Sequence, residues 1–167
     1  GERSDDALSV LYNYTDNFDL SLLSVFESSH QVLKFIYNNN LPMAVVSNKR
    51  HDPLQREVTH FGWEEFFPVA IGAGRAERDK PHAAPLLMAI NELEVDLHPS
   101  EILYVGDTET DLLCAQNAGC QSALVEEYRP RPYLIEKYNP DYVCAKLEDL
   151  CEVIMNNRTE QKESVAG

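Results

Sequence analysis

A chain of 167 residues with 44% hydrophobic side chains is long enough for one domain with a real core and too apolar to read as disordered. Its formal charge of −14 sets it against nucleic acid and anionic membrane, both of which would repel it. No apolar run approaches the roughly 18 residues of a membrane span, and residues 1 to 10 are too polar and acidic for a signal peptide.

Cys114, Cys120, Cys144 and Cys151 form no CxxC pair. Three of them sit in apolar settings and read as reduced, buried thiols, which points to a reducing, cytoplasmic compartment. An anionic small substrate stays open, provided a local cation or metal meets it.

In chain order, Ser28 and Ser29 are candidate caps for a helix with Val32, Leu33, Phe35 and Ile36 on its apolar face. Residues 43–47, MAVVS, read as a short buried strand. Asp52 and Pro53 then start a helix with Leu54, Val58 and Phe61 inward, closed by Gly62. Val69 to Ile71 is a second strand candidate, leading into the loop GAGRAERD. Pro81 is expected to open a helix carrying Leu86, Leu87, Ile90 and Leu93. Ile102 to Val105 is a third strand, followed by a helix from Asp111 to Ala118 with Gly119 as its stop. Ser122 to Val125 and Tyr142 to Cys144 are further strand candidates, and Leu147 to Met155 is a last helix.

Strands alternating with helices predict an α/β fold, a Rossmann-like parallel sheet with helices on both faces. Ligands bind such sheets outside the carboxyl ends of the strands. Ser47 ends one strand there, Asp107 follows another, and Lys80 stands at a predicted helix start. Asp111 lies four residues after Asp107. Singly, Ser47 is a strand-end serine, Lys80 a solvated lysine and Asp111 a helix N-cap. Together, a hydroxyl, an ammonium and two carboxylates can hold a phosphate and Mg²⁺, which takes one or two carboxylates plus waters and substrate oxygens.

The stretches VVSNK, DKPHAAPLLMAINEL and ILYVGDTETDLLCAQNAG resemble motifs II, III and IV of the haloacid dehalogenase (HAD) superfamily, in particular its phosphoglycolate phosphatase-like branch. The likeness runs from about Phe26 to Leu150. It implies an Mg²⁺-dependent phosphatase acting on a small phosphorylated metabolite, with no nucleic-acid or membrane partner. It also implies that Ser47 binds the transferring phosphoryl group with help from Asn48. Lys80 would hold nucleophile and phosphate, and Asp107 would ligate Mg²⁺. Asp111 would ligate the metal or orient its water.

The family nucleophile belongs to a motif I of the form DxDGT, and the sequence contains no Asp-x-Asp. Residues 1–27 resemble the C-terminal part of the family's helical cap. Residues 28–156 then form a HAD-like core lacking its first strand, and 157–167 a disordered tail. The nucleophile is expected upstream, and residues 1–167 alone are expected to be inactive and to leave a gap between the strands ending at Ser47 and Val105. Two other readings are a catalytically inactive HAD-like binding module and a receiver-type phospho-signalling domain, although in the latter the acid pair precedes the hydroxyl and lysine. Arg75 and Arg78 are either substrate-facing cations or solvated. The five histidines have no metal spacing and read as surface or capping residues.

Overall fold

The computed structural model describes residues 18–166, with side chains described through Asn157. Most of the segment read as a cap remnant therefore lies outside the described residues. A short 3-10 turn at Leu20–Leu22 leads into α1 (Glu27–Asn38). The core then runs β1 (Ala44–Arg50), α2 (His51–His60), β2 (Val69–Ala73), α3 (Ala84–Glu92), β3 (Leu103–Gly106), α4 (Glu109–Ala118), β4 (Gln121–Val125), α5 (Pro132–Tyr138), β5 (Tyr142–Cys144) and α6 (Asp149–Ala166).

Among the described residues the strands form two parallel sheets, β1-β2 and β3-β4-β5. Alternation explains their two-sided cover. Val45 and Ala70 face Leu54 and Val58 of α2, whereas Ala44, Val46 and Ile71 face Ala89 of α3. Ala123, Val125 and Cys144 pack on Leu150 of α6, and Leu124 packs on Leu112 and Leu134 of α4 and α5. The predicted parallel, doubly covered fold is therefore present.

β1 and β3 share no backbone ladder. They are joined instead by a core of Leu86, Cys114 and Ala118, with Val46 and Tyr104 against it, and by the Tyr104 hydroxyl donating to the Val46 carbonyl at 3.3 Å.

Several element ends differ from the sequence reading. The α3 helix begins at Ala84 with Pro85 in its first turn, not at Pro81. Residues before it are held in turns because the Lys80 backbone bonds to the Asn48 side chain instead of to a helix. Phe26 precedes α1 without a side-chain cap, so Ser28 and Ser29 lie inside the helix. Asp52 is a first-turn acid of α2, favoured there by the helix dipole. α5 had no counterpart in the sequence reading. The last helix continues to Ala166, through the stretch read as a disordered tail. That stretch lacks proline and glycine until Gly167 and is rich in Glu, Gln, Lys and Arg, all compatible with helix.

Candidate active site

The site lies at the carboxyl edge of β1 and β3. β1 pairs with β2 in register from Ala44 to Val46, and the register then shifts before Arg50. Ser47, Asn48 and Lys49 thus leave the regular ladder, as a bulge permits. The Ser47 hydroxyl accepts from the Lys49 backbone N–H at 3.1 Å. The Asn48 side chain crosses to the loop before α3. Its amide nitrogen donates to the Lys80 carbonyl at 2.9 Å, and its oxygen accepts from the Lys80 N–H at 3.1 Å. Both ends of the amide are engaged with one residue, so Asn48 fixes where the Lys80 side chain starts.

That side chain turns inward and is only 9% exposed. Its ammonium donates to the Val46 carbonyl at 3.0 Å, the Tyr104 hydroxyl at 2.9 Å and Asp111 Oδ1 at 2.8 Å. All three donor directions of an ammonium are used. Asp111 is the one buried acid among the described residues, at 8% exposure. Its other oxygen, Oδ2, accepts from the backbone N–H groups of Asp107 and Thr108 at 3.2 and 3.1 Å and from the Thr108 hydroxyl at 2.6 Å.

Thr108 and Asp111 form a reciprocal capping box for α4, which sequence spacing of the Thr-x-x-Asp type could have indicated. Burial pushes the Asp111 carboxyl up, but the Lys80 and Thr108 hydrogen bonds and the Lys80 charge outweigh it and hold the group below the usual carboxylate value. Burial, with the neighbouring Asp111 charge, pushes the Tyr104 phenol far above its ordinary value, so it remains a neutral donor.

Asp107 differs from its partner. Its side chain is 54% exposed, and its Oδ2 accepts from Arg131 Nη2 at 3.1 Å. The donor set fits a hard divalent cation as an open, one-carboxylate site. Among the described residues no three His, Cys, Asp or Glu side chains converge to cage an ion. Mg²⁺ needs no such cage, because it keeps waters and takes oxygens from a substrate. Asp107 can supply its carboxylate outward. Both Asp111 oxygens are already committed, which suits Asp111 to holding Lys80 and the β3–α4 turn rather than to direct ligation.

The structure therefore brings Lys80, Asp107 and Asp111 into one hydrogen-bonded group. Ser47 stands next to Val46, whose carbonyl Lys80 holds, and Asn48 acts on the Lys80 backbone. Sequence reasoning missed Tyr104 and Thr108 and, in the loop EEYRPRPY after Val125 that borders the predicted site, did not single out Arg131. Arg131 follows β4 at the carboxyl edge, where parallel topology could have placed it. Arg75 is taken by Glu92 at 3.2 Å, on the surface. His98 caps the 3-10 turn Pro99–Glu101, and His82 accepts from the Ala84 N–H, in keeping with capping roles.

A parallel α/β domain with a buried lysine and paired acids at its carboxyl edge defines a class of hydrolase fold. The model of the haloacid dehalogenase-like hydrolases matches residues 3–125, and the chain belongs to that family. It is 26% identical over 153 residues to the pyrophosphatase PpaX of Halalkalibacterium halodurans, covering 92% of this chain and 70% of the relative. With PpaX of Bacillus cereus strain B4264 it shares 30% over 136 residues, 81% of this chain and 62% of the relative. A solved Haemophilus somnus structure, described as a predicted phosphoglycolate phosphatase, superposes with a TM-score of 0.72 at 25% identity. That match covers 86% of this chain and 62% of the other. Among the described residues no helix is long and apolar enough to cross a membrane.

Proposed function

We propose that the full-length protein is an Mg²⁺-dependent phosphatase acting on a small, phosphoglycolate-like phosphate monoester. The observation that carries this reading is the buried Lys80–Asp111 pair, at 2.8 Å, beside the exposed Asp107 carboxylate. In this reading Asp107 holds the metal and Lys80 neutralises phosphate charge. Asp111 keeps Lys80 aimed, and the Ser47 hydroxyl donates to a phosphoryl oxygen. Bound Mg²⁺ would supply charge stabilisation for the phosphoryl group in flight. The carboxylate nucleophile is proposed to come from outside residues 1–167, on a strand seated between β1 and β3. The separation of the two sheets supports that placement.

The test is phosphate release by the full-length protein from a panel of small monoesters, with pyrophosphate included because of the PpaX relatives. Mg²⁺-dependent turnover of a monoester is expected, and Asp107→Asn should lower it at least about a hundredfold. Residues 1–167 alone should show no turnover above a metal-free blank. Metal-independent turnover, or an Asp107→Asn variant near the wild-type rate, would overturn the reading.

A further inference from the structure

We propose that Arg131 is a built-in counter-ion of Asp107 that keeps the divalent metal weakly held until an anionic substrate joins it. The inference rests on the reading of Asp107 as the metal ligand.

Its basis is the geometry of the loop after β4. Residues 126–131 fold back on themselves, with the Arg131 backbone N–H donating to the Glu126 carboxylate and the Arg129 N–H to the Glu126 carbonyl. That fold sends the Arg131 side chain under the carboxyl edge of the sheet. Its Nη1 donates to the Val125 carbonyl at 3.3 Å and its Nη2 to Asp107 Oδ2 at 3.1 Å. The guanidinium side is 12% exposed while its carboxylate partner is 54% exposed. The cation is therefore the fixed member of the pair and the carboxylate the open one.

A surface ion pair usually joins two mobile chains and contributes little. Here the arginine is anchored by a carbonyl and shielded, so its charge acts at short range on one acid. Two effects follow for a metal that Asp107 would hold. The Arg131 hydrogen bond occupies one carboxylate oxygen and draws electron density from the other. The fixed positive charge also repels a second cation at the same carboxylate. Both weaken metal binding. An opposing effect is orientation, because a hydrogen bond to a ligating carboxylate can pre-set its direction. For a single hydrogen bond to a half-exposed side chain, the charge effect is the larger. A substrate phosphate reverses the balance, since it brings negative charge to both cations at once. Metal and anionic substrate then bind cooperatively, and Arg131 becomes available to the anion.

The experiment measures Mn²⁺ and Mg²⁺ binding to the full-length protein directly, by Mn²⁺ electron paramagnetic resonance and by calorimetry, without turnover. Arg131→Gln and Arg131→Met should each bind metal roughly three- to tenfold more tightly than wild type. Arg131→Lys, which keeps the charge, should stay within about twofold of wild type. Adding inorganic phosphate should tighten metal binding more in wild type than in Arg131→Met. Unchanged or weaker metal binding in a neutral variant that melts like wild type overturns the proposal. So does an Arg131→Lys protein that behaves like Arg131→Met. Asp107→Asn is the control. If it binds metal as wild type does, the ligand assignment itself fails. If it loses binding while the neutral Arg131 variants match wild type, only the counter-ion role fails.

Discussion

Asn48 illustrates how much of the site depends on atoms away from its centre. Its amide holds both the N–H and the carbonyl of Lys80, thirty-two positions along the chain. An alanine there would free the Lys80 backbone and let the ammonium leave its three acceptors. In the full-length enzyme, Asn48→Ala should lower kcat by about tenfold to a hundredfold with a smaller change in KM, because misplacement acts mainly on the reacting geometry. Steady-state kinetics beside a melting curve would check this. A KM effect alone, with kcat intact, would instead mean direct substrate binding, the role the sequence resemblance implied for Asn48. Asp107 and Asp111 were legible as a pair because a carboxylate directly after an apolar strand and a glycine has little structural purpose. Their division of labour was not. One spacing satisfies both a metal pair and a capping box, and only burial separates the two: Asp111 is enclosed by Lys80 and Thr108, whereas Asp107 stays open. Tyr104 was hidden for a related reason, since an aromatic in a strand normally signals core, and its hydroxyl finds partners only through topology.

Elements place these residues through close approaches that only glycine allows. A Cβ on Gly106 would lie 2.3 Å from Asp111 Cβ and 2.5 Å from its Cγ. The last residue of β3 must therefore lack a side chain for Asp111 to fold under it. Gly106→Ala should cost about 1–3 kcal/mol of stability by overpacking and displace Asp111 from Lys80, which a denaturant titration and a structure of the variant would report. A variant as stable as wild type, with the Lys80–Asp111 contact intact, would contradict this. Strand positions were readable because each is short, apolar and set off by turn residues. β5, Tyr142–Cys144, matches its expected span, and the other strands differ from theirs by a residue or a few. Helix starts were harder. Proline at 81 and serines at 28 and 29 carry start signals, but the chain used Pro85 and Phe26 because long-range bonds such as Asn48 to Lys80 decide where the backbone is free to coil. α5 begins after Arg131, whose anchoring depends on contacts to β4 and Asp107 that no local pattern contains.

At the scale of the whole molecule, the buried titratable groups set a pH window. Burial pushes the thiols of Cys114, Cys120 and Cys144 up to about 11, and the Tyr104 phenol is raised as well. In the unfolded chain these groups ionise nearer about 8.5 for a thiol and 10 for a phenol. The unfolded state therefore loses their protons first as pH rises, and the stability they contribute is complete below about pH 8.5 and falls progressively towards pH 11. Asp111 has the opposite sign. Its folded value is depressed by Lys80 and Thr108, so its contribution is present above the unfolded carboxylate value near 4 and disappears as pH falls through the lower folded value. Stability should thus be flat between about pH 5 and 8 and decline on both sides. Urea midpoints, measured with reductant at constant ionic strength, would trace the curve. Replacing Cys144 by alanine should flatten the alkaline limb relative to wild type, even though the cavity lowers the plateau. Asp111→Asn should flatten the acid limb and also lower the plateau, because Lys80 would stay buried without its counter-charge. A wild-type midpoint that held constant from pH 8.5 to 11 would mean that the thiols and the phenol ionise alike in both states, and that these side chains are more open to water than the packing around them implies.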